Sequence, residues 1–370
     1  MRSQHHTVHP ARQKTILQSF PSRVARRGTI LNELPPTLHL PSVSDLDHIL
    51  ASQNATQLRA RLKAARDRVS STFIRLDGLA VEPTGTHSAM LQYLRRAGCG
   101  DDLPGTPPQV VALDWSCADR CSAEGLAFFG VLGCLIQTRG QILIVCSPSA
   151  SDLAGIVMEA GLQETCTHAR WIASQASGRR MTRIASPSLV FDSPIAGHEV
   201  LAFFTAIEAV LERNKLPPDS VDLTTSLLME LLQNISTHAV GACASVVAVV
   251  HSRRRPAVLE IGLADSGKGM PSTVLTSPRL QWLVPLCDAS ILEAFVANGF
   301  TSRPLEAGGG ALREVVLKFL DMVPGGVILI RSGSALIRLD LSLARSLRPT
   351  QLSYGFGTQL RVEIPLVPLD

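Results

Sequence analysis

Apolar and polar positions divide the chain into a polar N-terminal stretch and two blocks of regular structure. Residues 44–70 predict one helix, with Leu50, Leu58, Leu62 and Ala65 on one side. QVVALDW, residues 109–115, is a short apolar run between prolines and a polar turn, the pattern of a buried strand. Residues 122–138 have helical period, and Gly140 ends it. QILIVC (141–146) predicts a second buried strand, and SDLAGIVMEAGL (151–162) a short helix stopped at Gly161. This β-α-β-α succession calls for a partly parallel sheet. Residues 176–193, ASGRRMTRIASPSLVFDS, are polar, basic and serine-rich, as a linker would be.

The second block begins at Pro194. In TTSLLMELLQNISTHAV (224–240), Leu227, Leu228, Leu231, Leu232, Ile235 and Ala239 form one stripe of a helix, with Asp222 and Thr224 as suitable N-caps. VVAVVHS and AVLEIGLA read as strands on either side of an arginine-rich turn, whereas MPSTVLTSP has no helical pattern. Residues 311–322 predict a helix, VILIRS a strand, and QLRVEIPL a final strand.

At 370 residues the chain has room for two or three domains. It is 45% hydrophobic and 18% charged, which excludes wholesale disorder, and with 4% aromatics its cores must be built from Leu, Val, Ile and Ala. Residues 1–32 hold six basic side chains and no acidic one, so of the net +4 the other 338 residues carry −2. A near-neutral body offers no concentrated basic footprint for nucleic acid. The basic N-terminal stretch is a little like an organelle transit peptide but lacks strong amphipathic period; a solvated tail, with His5, His6 and His9 in it, is the plainer reading. No window reaches the ~18 uncharged apolar residues of a membrane span. The eight cysteines include no CxxC pair and mostly sit in apolar runs, as expected of a reduced, cytoplasmic protein rather than of disulfides or zinc.

Chemistry concentrates in the second block. Glu230, Asn234 and His238 stand four apart and share the stripe opposite the leucines; alone, that is a solvated helix face. The strand AVLEIGLA runs into Asp265-Ser266-Gly267-Lys268-Gly269-Met270. The span from Gly262 nearly satisfies the P-loop pattern. It fails because Gly269 stands where magnesium needs a hydroxyl, and because no helix follows. A carboxylate at a strand end beside two glycines can instead accept from an exocyclic amine, with the glycines letting a ring lie close; a tight turn explains the motif equally well. Gly308-Gly309-Gly310 leads straight into a helix, an arrangement that exposes backbone N–H groups to polyphosphate. Gly355-Phe356-Gly357-Thr358 leads into the last strand.

Two resemblances follow. Residues 109–162 look like the second half of a STAS domain, whose Asp-Ser-Ser-Gly-Leu loop takes phosphate on its first serine. Here the loop is Ser122-Ala123-Glu124-Gly125-Leu126, with alanine at the acceptor position and Ser122 as the only nearby hydroxyl. Over residues 195–368, ELLQNISTHA, ADSGKGM, TSRPLEAGGGAL and GFGT resemble, in order, the four nucleotide-binding boxes of the GHKL ATPases. The implied fold class is α/β: a basic tail and helical segment over 1–70, a STAS-like βαβα domain over 71–175, the linker 176–193, and an α+β two-layer GHKL (Bergerat) sandwich over 194–370.

The GHKL resemblance implies that Glu230 is the general base and that Asn234 holds Mg²⁺ against ATP. It implies that Asp265 binds the adenine amine, that Gly267 and Gly269 line the base, and that Thr358 supports Asp265 through water. Gly308, Gly309 and Gly310 would contact phosphates, and His238, Thr301 and Ser302 fall within the matched boxes. Lys268 is either a phosphate contact or a solvated turn residue. The segment 271–307 would be the ATP lid. The second box departs from the family, reading GGGAL rather than GxGxGL. His198-Glu199 lacks the basic residue and proline of a histidine-kinase box, and no transducer domain is expected after the fold, so the relatives that remain under this resemblance are the bacterial anti-sigma serine kinases. The expectation is a regulatory Mg-ATP enzyme acting on a STAS-type or sigma-factor-type protein partner, with a homodimer also open. The alternative is a nucleotide-gated adaptor without turnover.

Overall fold

The computed structural model describes residues 43–66, 68, 69, 71–75, 109–116, 118, 121–138, 141–148, 151–159, 169–172, 182–191, 197–238, 243–252, 254–284, 286–296, 311–341, 350, 351 and 357–366. Their strands form one parallel and one antiparallel sheet. After helices α1 (Val43–Leu50) and α2 (Ala55–Ala64) come strands β1 (Ser71–Arg75) and β2 (Val110–Asp114), then helix α3 (Ala123–Thr138), strand β3 (Ile142–Cys146), helix α4 (Ser151–Glu159) and strand β4 (Ala169–Ile172). The four strands lie side by side in chain order, all parallel, as the β-α-β-α pattern requires. Alternation sorts their side chains: Val110, Ala112, Ile144 and Cys146 pack with Ile49, Leu58 and Leu62, while Val111, Leu113, Leu143 and Val145 pack with α3 and α4. The single helix expected over 44–70 is two, because the Asn54 side chain accepts the Gln57 N–H at 2.9 Å and starts α2 afresh.

The second sheet has the order β10-β9-β8-β11-β7-β6-β5, antiparallel throughout. Its strands are β5 (Thr182–Phe191), β6 (Ala244–His251), β7 (Val258–Asp265), β8 (Val327–Ser332), β9 (Ala335–Asp340), β10 (Thr350–Gln351) and β11 (Thr358–Pro365). Between them the chain forms α5 (Gly197–Arg213), α6 (Pro218–His238), α7 (Gly269–Thr276), α8 (Asp288–Val296) and α9 (Ala311–Met322). Leucines 227, 228, 231 and 232 of α6, with Phe203, Phe204 and Phe319, bury one face of this sheet.

Three expectations need correction here. The stretch read as a linker supplies β5, an edge strand whose register against β6 shifts around Ser186. An edge strand pairs on one side only, so it tolerates Pro187 and a polar, basic composition. Helix α6 begins at Pro218, a residue preorganised for a first turn, so Asp222 and Thr224 are interior and the Thr224 hydroxyl bonds back to the Ser220 carbonyl at 2.8 Å. A helix does follow the Asp265 loop: α7 carries Pro271 in its first turn, where a missing N–H costs nothing.

Helix α3 joins the two sheets. Residues 123–134 are buried without exception, and apart from Glu124 AEGLAFFGVLGCLI is apolar on every side, as a helix enclosed all round must be. One side meets the parallel sheet and the other meets Cys243, Val247, Val249 and Ala264 on β6 and β7 or beside them. At Gly262 of β7 a Cβ would overlap the backbone of Ala123 and Glu124, so only glycine lets the helix lie this close. Cys134 of α3 is disulfide-bonded to Cys243 with Cα atoms 6.2 Å apart, which corrects the expectation of reduced cysteines; a pair 109 residues apart leaves no mark in local spacing. Gly262→Ala is therefore expected to cost about 3 kcal/mol or more in chemical denaturation, the upper end of overpacking, because backbone cannot rotate away. Cys134→Ser should cost about 2–4 kcal/mol, and non-reducing peptide mapping should recover the 134–243 cross-link.

Candidate functional site

Alternation on the antiparallel sheet decides which side chains meet the helices. On β7, Leu259, Ile261 and Leu263 enter the helix-covered core, and Asp265 continues that parity. On β11, Leu360, Val362 and Ile364 do the same and lead back to Thr358; on β8, Ile328 and Ile330 lead to Ser332. Register places Thr358 opposite Ser332 and Gln359 opposite Ala264. Asp265, Thr358 and Ser332 thus stand together at one end of three adjacent strands.

Asp265 is 4% exposed. Its Oδ1 accepts the Gly267 N–H at 2.7 Å, so the tight turn after the strand is real and uses one carboxylate oxygen. Burial pushes its pKa up to about 6, against the pull of the Gly267 and Thr358 N–H groups. Gly357 has φ +66°, and a side chain there would overlap the Asp265 carbonyl. Gly269 opens α7, Gly267 is half-buried, and Lys268 is exposed, which fits the solvated-turn alternative. The Met270 N–H, an orphan donor of α7's first turn, is taken by Ser332 Oγ at 2.7 Å and so is not free for phosphate.

On α6, Glu230 and Asn234 are half-buried and joined, Asn234 Nδ2 donating to Glu230 Oε1 at 3.0 Å. Five residues separate His238, the end of α6, from Ala244, which pairs with Asp265. Ser266 and Cys243 tie this join by two hydrogen bonds, Ser266 N–H to the Cys243 carbonyl at 2.8 Å and Cys243 N–H to Ser266 Oγ at 2.9 Å. The His238 side chain, Thr301, Ser302 and Gly308 to Gly310 lie outside the described residues, as does the tail with His5, His6 and His9. Ser332 was missed in the sequence, although its parity with Ile328 and Ile330 in VILIRS was there to be read.

The other face of the same strands carries a buried charge network against α3. The Ala123 N–H, at α3's N-terminus, donates to Glu260 Oε1 at 2.5 Å, while His251 Nε2 and Arg254 Nη2 lie 3.2 and 3.3 Å from Oε2. Arg361 Nη1 is 3.3 Å from Glu124 Oε1, and its Nε is 3.2 Å from Glu363 Oε1; Arg254 Nη1 reaches Glu363 Oε2 at 3.4 Å. Burial alone would raise Glu260, but His251, Arg361 and the Ala123 N–H outweigh it and hold the carboxyl below its usual range. For Glu124 burial prevails over Arg361 and pushes the pKa up to about 8. Two guanidinium groups then face two carboxylates, and Glu124 stays neutral, which spares a third negative charge beside the helix. Ser122 is 6% exposed and its Oγ accepts the Gly125 N–H at 3.3 Å, so the hydroxyl of this loop is enclosed as a helix cap.

No protein-family model matches the chain, and no curated protein matches it either. No helix among the described residues is long and apolar enough to cross a membrane. Among the same residues no group of three His, Cys, Asp or Glu is placed to hold a metal.

Glu124 titrates near 8 in the fold against an ordinary 4.5, so between these values the native chain holds a proton that the unfolded chain has released. Its contribution is complete below the lower value and fades as pH rises through the upper one. Glu124→Gln keeps the shape and fixes the neutral form. Its melting temperature should fall less than that of wild type between pH 6.5 and 8.5; parallel curves would contradict a buried neutral Glu124.

Proposed function

We propose that residues 194–370 bind Mg-ATP in the manner of the GHKL ATPases and act as a regulatory ATPase or protein-serine-kinase-like switch, with the STAS-like module built into the same body. The observation that carries this reading is the placement of Asp265 beside Thr358 on the helix-covered face, its carboxylate held by two backbone N–H groups. With the Gly267 and Thr358 N–H groups already on the carboxylate, the remaining acceptor capacity suits a single amine donor, as on adenine, better than the paired donors of guanine. Gly267 adds no side-chain bulk at that point, whereas Gly269, at φ +77° with Ser332 Oγ and the Gly357 carbonyl where a Cβ would stand, is glycine for the fit of the loop itself.

The α6 pair supports the phosphate end. With one N–H of Asn234 donated to Glu230, the amide oxygen keeps its acceptor capacity, the half that a hard cation takes. Mg²⁺ bound there would neutralise triphosphate charge, and phosphoryl transfer needs little more than such positioning. Glu230, half-buried on the same stripe, would take a proton from water or an acceptor hydroxyl, the role the resemblance implies for it. Phosphate contacts at Gly308, Gly309 and Gly310 rest on the sequence resemblance.

An acceptor within the STAS-like loop does not fit: Ala123 has no hydroxyl and Ser122 is enclosed. Transfer would need a hydroxyl on another protein, a STAS-type or sigma-factor-type regulator being the expected class. The same enclosure favours the second reading, a nucleotide-gated adaptor that binds ATP without turning it over. Incubation with γ-labelled ATP and STAS-type partners separates the two, since the adaptor retains binding and transfers no label.

By calorimetry with Mg-ATP, Asp265→Asn should weaken binding about 10–100-fold, the worth of a charged acceptor. Affinity should also fall below about pH 6, where the carboxyl gains its proton. Glu230→Ala should bind normally and release no phosphate. If folded wild-type protein gives no heat with Mg-ATP, the reading is wrong.

A further inference from the structure

The turn between β8 and β9 collects more polar contacts than a hairpin needs. Ser332 is 1% exposed, and its Oγ accepts the Met270 N–H at 2.7 Å. The same oxygen lies 3.1 Å from Thr358 Oγ1 and 3.3 Å from the Gly357 carbonyl. Two residues on, the Ser334 N–H and hydroxyl both donate to Asp288 Oδ2, at 2.7 and 2.6 Å. Met270 stands in the first turn of α7 and Asp288 opens α8. One turn therefore holds the start of α7, just before the 271–307 segment expected to be the lid, and the start of α8 within it. The fit is close: a Cβ at Gly269 would come 2.8 Å from Ser332 Oγ, and one at Gly333 would come 2.6 Å from Asp288 Oδ2.

A serine hydroxyl has one proton and two lone pairs. With Met270 donating to one lone pair, the Ser332 proton goes either to the Gly357 carbonyl or to Thr358 Oγ1. In the first case Thr358 donates to Ser332, and its own proton is spent. In the second, Thr358 accepts from Ser332 and keeps its proton for whatever lies beside Asp265. The direction of this one hydrogen bond fixes whether Thr358 presents a donor to the site. It is linked, through the Met270 N–H, to the position of α7.

We infer that Ser332 is a positioning residue that couples the hydroxyl of Thr358, beside Asp265, to the root of the 269–296 segment. This deepens the nucleotide reading and rests on it. The coupling predicts that purine binding and the setting of α7 change together, and that both depend on the Ser332 hydroxyl rather than on its bulk. Arg279, exposed on the segment between α7 and α8, gives a tryptic site that reports on it.

The test compares wild type with Ser332→Ala, Ser332→Cys and Ser332→Thr by Mg-ATP calorimetry and by the rate of tryptic cleavage at Arg279 with and without Mg-ATP. Wild type should bind and should show a cleavage rate that changes with nucleotide. Ser332→Ala and Ser332→Cys should bind about tenfold more weakly, the worth of one hydrogen bond, and lose the nucleotide dependence of cleavage. Ser332→Thr, which keeps a hydroxyl on a strand-compatible side chain, should restore both. The cysteine variant, close to serine in volume, carries the test if the alanine variant does not fold. Wild-type affinity and nucleotide-dependent cleavage in both hydroxyl-free variants would overturn the coupling and leave the nucleotide reading standing. Absence of binding by wild type would remove that reading and the coupling with it.

Discussion

Helix α3 lies against β7 at backbone distance, and most of the architecture answers to that contact. Gly262 makes it possible, since any side chain there would occupy the space of Ala123 and Glu124. Glu260, two residues earlier on the same face, receives the first N–H of the helix and so fixes where along the strand α3 begins. The disulfide between Cys134 and Cys243 fixes the helix again, three turns later, to the chain entering β6. A helix held at both places is a shared wall of two sheets, and the two sheets pack as one body.

That wall is costly in charge. A carboxylate from β7, two guanidinium groups and a second carboxylate sit beside an apolar helix, and such groups stabilise only when each is answered. The helix N-terminus and His251 answer Glu260, and the arginines supply the other partners. Glu124 escapes the problem by remaining protonated. A network of this kind specifies one docking position more sharply than greasy contacts do, because a helix shifted by one turn would leave several buried groups without partners.

Much of this was legible in the chain. The strands 110–114 and 142–146, the helix 123–138 and the α6 stripe of leucines announce themselves by period, because each buries a face set by its own local sequence. Asp265 at a strand end, and Glu230 and Asn234 one turn apart, also follow from spacing. What escaped depends on partners far away in sequence. β5 looks like a linker because an edge strand needs no apolar alternation, and α7 looks irregular because Pro271 and its serine and threonine neighbours are poor helix formers in isolation. The break at Asn54 turned on a single cap. The disulfide, the role of Gly262 and the contacts of Ser332 arise only when strands take their register.

The two faces of β7 then acquire a relation that neither shows alone. Even-numbered positions, Glu260, Gly262 and Ala264, receive α3, while odd-numbered positions run through the core to Asp265. A rigid strand held from behind presents its terminal carboxylate without needing to be ordered by a ligand, and preorganisation of this kind lowers the cost of binding. If the carboxylate grips a purine, as proposed, then the parallel-sheet module serves that grip by position: its Ser122 hydroxyl caps a helix, and what it supplies is the surface on which β7 rests. Among the described residues, the side of Asp265 away from α3 is bounded by the segment rooted at Ser332 and Asp288.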